Sequence, residues 1–184
     1  MSEYYPDVMV DIETTGLNPD RAAILQIAGV RFDLKNGRVD SKTFNQSLAI
    51  PLTRHWHEGT RDWWLRDKAE LLERIMSNAQ DPKLVLQRFS EWALWGSEGQ
   101  TLHFWAKPTH FDYAFIRSYL TDFDVVNPFH FRMANDMNSF IRARYYPEDP
   151  PSFDEIEFDG DAHDALADVW HQLKILFAAY EGTK

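Results

Sequence analysis

Apolar and polar positions along this chain follow two periods, a short one near the N-terminus and a longer one after it. The apolar run Val8-Met9-Val10 predicts a strand over residues 7–12, Ile24 to Phe32 a second, and Thr43 to Ile50 a third. Asn36-Gly37 between the last two is a hairpin-turn signal, so the first third reads as a three-stranded antiparallel meander. Beyond it the period lengthens. Asp81-Pro82 supplies a helix cap and first-turn residue, and Leu84, Val85, Phe89, Trp92 and Ala93 recur at helical spacing. Leu102 to Ala106 predicts a strand, and Asp112 opens a helical pattern through Phe115, Ile116, Tyr119 and Leu120. Phe129 to Met133 predicts a short strand, Asp136 to Arg144 a helix, and the Pro-rich acidic stretch 147–161 a loop. Leu166, Val169, Trp170, Leu173, Leu176, Phe177 and Tyr180 then keep a 3-4 spacing almost to the C-terminus. Three antiparallel strands followed by alternating helices and strands predict an α/β fold, a mixed sheet flanked by α-helices. At 184 residues the expectation is one domain over residues 1–184.

Composition narrows the chemistry. The chain has no Cys, which excludes disulfides, thiolate metal sites and cysteine nucleophiles. Its formal charge of -10 argues against a protein that coats duplex nucleic acid through a broad basic surface. It leaves room for an enzyme that grips a few nucleotides through bound cations. Seven Trp and thirteen Phe exceed what a core of this size needs, so some aromatics are expected on a surface. No basic segment leads into an apolar run at the N-terminus, and no apolar stretch approaches membrane-spanning length; a cytoplasmic protein with no membrane partner is expected.

The most informative residues are Asp11-Ile12-Glu13-Thr14-Thr15-Gly16, at the end of the first strand. Carboxylates two residues apart on a strand point to one side, and such close like charges call for a cation between them. Thr14, Thr15 and Gly16 allow a tight turn and offer N–H and hydroxyl groups to an anion. Phe111-Asp112 lies where a strand-loop gives way to a helix, at the sheet edge where sites are built. His163 and Asp168 stand at the start of the last helix, about 140° apart at 100° per residue, so His163 borders the same cleft only if it sits at or before the first turn. Asp164 is only about 40° round from Asp168, and periodicity does not choose between them.

Taken together, Asp11-x-Glu13, Phe111-Asp112 and His163-x4-Asp168, in that order, resemble the three motifs of the DEDDh 3′–5′ exonucleases. That superfamily comprises ribonuclease T, oligoribonuclease and the polymerase proofreading nucleases, and has an RNase H-like fold. The resemblance spans residues 8 to about 177, and it is what selects Asp168 over Asp164. Thr60 to Trp64 and Phe104-Trp105-Ala106 are similar to the exonuclease VIII-like group and related bacterial and phage exoribonucleases. Lys107-Pro108-Thr109-His110 stands where many relatives have an Asn or Gly-rich turn before the second-motif Asp.

The resemblance implies a metal-dependent 3′–5′ exonuclease releasing nucleoside 5′-monophosphates from RNA or DNA. Asp11, Glu13, Asp112 and Asp168 would bind two Mg²⁺ or Mn²⁺ ions roughly 4 Å apart, with Asp11 as the bridge. His163 would be the general base, since an imidazole ordinarily titrates near working pH. An all-oxygen ligand set favours hard cations over zinc. A single-stranded 3′ end is the expected partner, seated against Thr14, Thr15, Gly16 and Leu17. Trp63, Trp64, Trp105 and Phe111 are the candidate stacking surfaces, and Lys107, Arg132, Arg142 and Arg144 the candidate phosphate contacts. Homodimers are common among small relatives, and the aromatic surplus could cover such an interface. Two other classes stay open: a catalytically silent nucleic-acid-binding domain, and a phosphohydrolase acting on small nucleotides.

Overall fold

A computed structural model describes residues 4–182. Met1–Glu3, which open the segment read for a secretory signal, and residues 183–184 lie outside the described residues. The first apolar run becomes β1 (Asp7–Thr14), which pairs antiparallel with β2 (Ile24–Asp33). The predicted third strand is shorter than residues 43–50, and an additional two-residue strand precedes it. β3 (Arg38–Val39) and β4 (Phe44–Ser47) both pair with the outer side of β2. Gly37, at φ +66°, makes the turn that leads into β3. On its other side β1 pairs in parallel with β5 (His103–Ala106), and β5 with β6 (Ala134–Asp136). The result is the expected mixed sheet, in the order β3-β2-β1-β5-β6.

Two expectations are corrected here. Phe131–Met133 is a 3-10 turn, and the strand follows directly after it at β6. Its sequence, Ala-Asn-Asp, carries no apolar alternation, because so short a strand is specified by pairing with β5 rather than by its own pattern. The helical pattern assigned to start at Asp112 begins at Thr109, giving α4 (Thr109–Asp122), with Asp112 in its first turn. Two helices went unpredicted, α1 (Glu58–Asp67) and α2 (Ala69–Ser77). Leu71, Leu72 and Ile75 on α2 have helical spacing and were the readable signal.

Helices cover both faces of the sheet. Val8, Val10 and Ile12 of β1 pack toward α3 (Pro82–Leu94) and α4 through Val85, Phe89, Phe115 and Tyr119. The alternate residue Met9 faces α5 (Met137–Tyr145) and α6 (Ala165–Glu181) through Met137, Val169, Leu173 and Leu176. Gly29 in β2 makes room for Trp92, since a Cβ there would lie 2.9 Å from the indole ring. A third cluster joins Leu25 of β2 to Trp64, Leu71, Leu72 and Ile75 of α1 and α2. Much of the aromatic surplus is therefore internal: Phe32, Phe89, Phe104, Phe115, Trp64 and Tyr119 are all fully buried. No helix among the described residues is long and apolar enough to cross a membrane.

Tyr119 ties α4 to the sheet, its hydroxyl accepting a hydrogen bond from the Ile24 N–H at 2.8 Å. Tyr119→Phe should leave that buried N–H without a partner at a cost of about 1–2 kcal/mol. In thermal unfolding this is a fall of about 2–8 °C for a chain of this length. An unchanged melting temperature would show that the bond carries no net stability.

Candidate active site

Strand alternation sets the first two carboxylates. Asp11 and Glu13 lie on the same face of β1 as Met9, the face covered by α6. Gln172 of α6 reaches down to them, its Nε2 donating to Asp11 Oδ1 at 2.8 Å. Asp112 arrives from α4. β5 ends its pairing at Met9↔Trp105, so Ile12 lies beyond the ladder, and its N–H donates instead to Asp112 Oδ1 at 3.1 Å. The first turn of α6 supplies Asp168. Its Oδ2 accepts from the backbone N–H of His163 at 2.8 Å.

His163 precedes the N-cap of α6, as the wheel required, and its backbone is left-handed at φ +72°. Glu13, His163 and Asp168 each offer a ligand atom, all within 4.8 Å of one another. The structure also separates the two acids that periodicity left open. Asp164 is the N-cap of α6, accepting from the Leu166 N–H at 3.2 Å, whereas Asp168 turns toward Glu13.

Electrostatics describe a cluster short of positive charge. Burial, followed by the charges of Asp112, Glu13 and Asp168, holds the Asp11 carboxyl well above the usual carboxylate range. Glu13 is raised for the same reasons, with burial first and Asp168 next. Burial pushes Asp112 up to about 8, against the lowering pull of its backbone hydrogen bonds. Asp168 is raised by burial despite the His163 N–H. Divalent cations fit this arrangement. The donors are carboxylate oxygens suited to hard ions, and their mutual repulsion is what a cation offsets. Gln172 Oε1, buried with no partner, would accept from water carried by such an ion.

These groups lie in a cavity of about 1160 Å³ that is also lined by Thr14, Gly16, Leu17, Trp63, Trp64 and Phe111. Leu17 is 80% exposed. Trp63 places its ring edge-on to His163, with centroids 4.9 Å apart. Trp64 is buried, and its Nε1 donates to the Thr14 carbonyl at 3.1 Å, so it braces the turn from behind. Two of the expected substrate contacts are engaged within the fold. Thr15 is fully buried; its hydroxyl accepts from Ala23 N–H and donates to the His55 carbonyl, so it shapes the turn. Trp105 is buried in the core beneath α5 and α6, its Nε1 donating to Asp7 Oδ1 at 2.9 Å, at the far end of β1 from the cleft.

Of the candidate phosphate contacts, Lys107 lines the cleft and also a neighbouring cavity of about 630 Å³ that includes Arg142. Arg144 is engaged by the fold, donating to the Tyr180 carbonyl at 2.7 Å and lying over that ring. Arg132 lies over Phe131 and lines neither cavity. Sequence reasoning missed one wall of the cleft, formed by His55, Trp56 and His57. The His57 N–H donates to the Thr15 carbonyl at 2.9 Å, which folds this segment over the Asp11-to-Gly16 turn.

The mixed sheet thus brings four carboxylates and a histidine to the wall of one cleft. The sequence profile of the 3′-5′ exoribonuclease Rv2179c-like domain matches residues 6–180, and the chain belongs to that family. No curated protein matches it in sequence. Among solved structures it is similar to cell-death related nuclease 4 (CRN-4), with a TM-score of 0.67 and 19% identity over 93% of this chain. E. coli exonuclease I in complex with a dT13 oligonucleotide gives a TM-score of 0.72 at 15% identity over 95% of the chain. S. pombe Pop2p in its Mg²⁺- and Mn²⁺-bound form gives 0.66 at 14% identity over 97%. The chain spans 62% of the CRN-4 chain, 41% of exonuclease I and 85% of Pop2p. At these identities the likeness is one of fold.

Proposed function

We propose that this chain is a metal-dependent 3′–5′ exonuclease that removes nucleoside 5′-monophosphates from single-stranded RNA or DNA ends. The observation that carries this reading is the convergence of Asp11, Glu13, Asp112, Asp168 and His163, from β1, α4 and α6, on one open cleft. The family description supports RNA as the substrate. The single-stranded oligonucleotide of the exonuclease I complex and the ions of Pop2p support a single-stranded end and Mg²⁺ or Mn²⁺.

Asp11, Glu13, Asp112 and Asp168 would hold the ions, which when bound supply charge to stabilise the attacking and leaving oxygens. His163 would accept a proton from the attacking water. Water adds to phosphorus, the P–O3′ bond to the penultimate nucleotide breaks, and that nucleotide regains a 3′-hydroxyl. Leu17, exposed at the tip of the first turn, would wedge beneath the terminal base. Trp63 and Phe111 offer further ring surface, and Lys107 a charge for an upstream phosphate.

With Mn²⁺, 5′-labelled RNA and DNA strands of matched sequence should shorten one nucleotide at a time, and EDTA should abolish the ladder. Binding without shortening would support the silent domain instead. Turnover confined to dinucleotides or nucleotide esters would support the phosphohydrolase.

A further inference from the structure

The acidic stretch before α6 is held at two points, and His163 sits inside the second. Just past its midpoint, Lys174 of α6 donates to the Glu157 carbonyl at 3.2 Å and pairs with Asp159. Near its end, Arg74 of α2 donates from Nη2 to Asp161 Oδ2 at 3.1 Å and Asp164 Oδ2 at 3.2 Å. Asp161 and Asp164 close their own turn, the Asp164 N–H donating to the Asp161 carbonyl at 3.0 Å. Between them is His163, in a backbone region that non-glycine residues enter only when the surroundings dictate it. Trp63 of α1 supports the imidazole from the side, edge-on. Leu71, Leu72 and Ile75 fix α2 in turn against Leu25 of β2.

We propose that Arg74 is a positioning residue for His163: α2, seated on the sheet, sets where the imidazole stands over the carboxylates by gripping the turn on both sides of it. This rests on the nuclease reading above. It also gives the acidic stretch a purpose. Three of its carboxylates, Asp159, Asp161 and Asp164, pair with Lys174 and Arg74, so these serve as grips for a strap rather than as a surface for substrate. Arg74 and Asp161 are both more than half exposed, and exposed ion pairs of this kind add little to stability. Position matters far more than stability here, since displacing a reacting group by about 1 Å can slow a reaction about 100-fold. Salt near 1 M, where the screening length falls to about 3 Å, should loosen the grip.

The test compares wild type, Arg74→Ala, Arg74→Lys and the charge-swapped pair Arg74→Asp with Asp161→Arg. Single-turnover cleavage of a single-stranded RNA by Arg74→Ala should fall about 10–100-fold. Its melting temperature, RNA affinity and Mn²⁺ affinity should stay near wild type. Arg74→Lys should keep part of the rate, and the charge swap should recover part of it. Independently of cleavage, the His163 imidazole Cε1–H resonance, assigned by its absence in His163→Gln, should move in Arg74→Ala. Wild-type turnover in Arg74→Ala, or a slowed variant whose His163 resonance is unmoved, overturns the proposal. An inactive wild type would sink the nuclease reading instead, and the resonance would still decide whether Arg74 positions His163.

Discussion

Asp112→Asn should yield a protein that no longer shortens RNA yet, without divalent ions, melts at a higher temperature than wild type near neutral pH. The amide preserves what the carboxylate does for the fold, because its oxygen can still accept from the Ile12 N–H. It removes an acid that the fold keeps protonated near neutral pH, at a cost that the unfolded chain does not bear. Burial pushes the Asp112 carboxyl up to about 8, and the same cause raises Asp11, Glu13 and Asp168. The sign follows from linkage. An acid whose folded-state pKa is raised is best tolerated when protonated, so its contribution is full below the unfolded value near 4. That contribution is lost as pH climbs through the raised value. The metal-free wild type should therefore lose stability steadily between about pH 4 and pH 8, and Asp112→Asn should flatten that fall. Removing that linkage cost is worth about 2 kcal/mol near neutral pH, or roughly 4–8 °C. Mn²⁺ should reverse the order, since wild type gains about 2.7 kcal/mol at one hundred times its dissociation constant while the variant binds weakly. Cleavage should drop by about a thousandfold or more. Thermal melts from pH 4 to 8, with and without Mn²⁺, check all of this. A metal-free variant less stable than wild type at pH 8 would refute the account of a strained acidic site.

The second large effect concerns the proton. His163→Ala should slow cleavage by about 10²–10⁴-fold, the range a positioned acid–base group supplies. Metal affinity should change only a few-fold. Asp11, Glu13, Asp112 and Asp168 all remain, and the N–H of residue 163 can still donate to Asp168. Measuring Mn²⁺ binding by calorimetry alongside single-turnover rates separates the two roles. Near-wild-type turnover would remove His163 from the chemistry, and a collapse in Mn²⁺ affinity would make it a ligand instead.

The legible parts of this chain are those written in local spacing. Alternation put Asp11 and Glu13 on one face of β1, and the 3-4 pattern located α6 to within a residue or two. Aromatic residues were the least legible. Trp63, Trp64, Trp105 and Phe111 look alike in sequence, yet one brushes His163, one braces a turn from inside the core and one bonds to Asp7. Nothing local distinguishes them, because burial depends on which element arrives from elsewhere in the chain. α1 is illegible for a related reason: its buried residue is Trp64, packed with Leu25 some forty residues earlier, whereas α2 carried a readable spacing.

By itself the sequence determined which acids could meet and in what order, since residue type and short-range period are enough to place carboxylates on faces. Only the tertiary structure decided which of them do meet. It turned Asp164 away as a helix cap gripped by Arg74 and brought Asp168 beside Glu13. It used the Thr15 hydroxyl inside the turn and set Gln172 against Asp11 across 161 positions of chain. Those outcomes depend on contacts between distant segments, where a side chain's partner is fixed by how helices pack on the sheet and not by its neighbours in the chain.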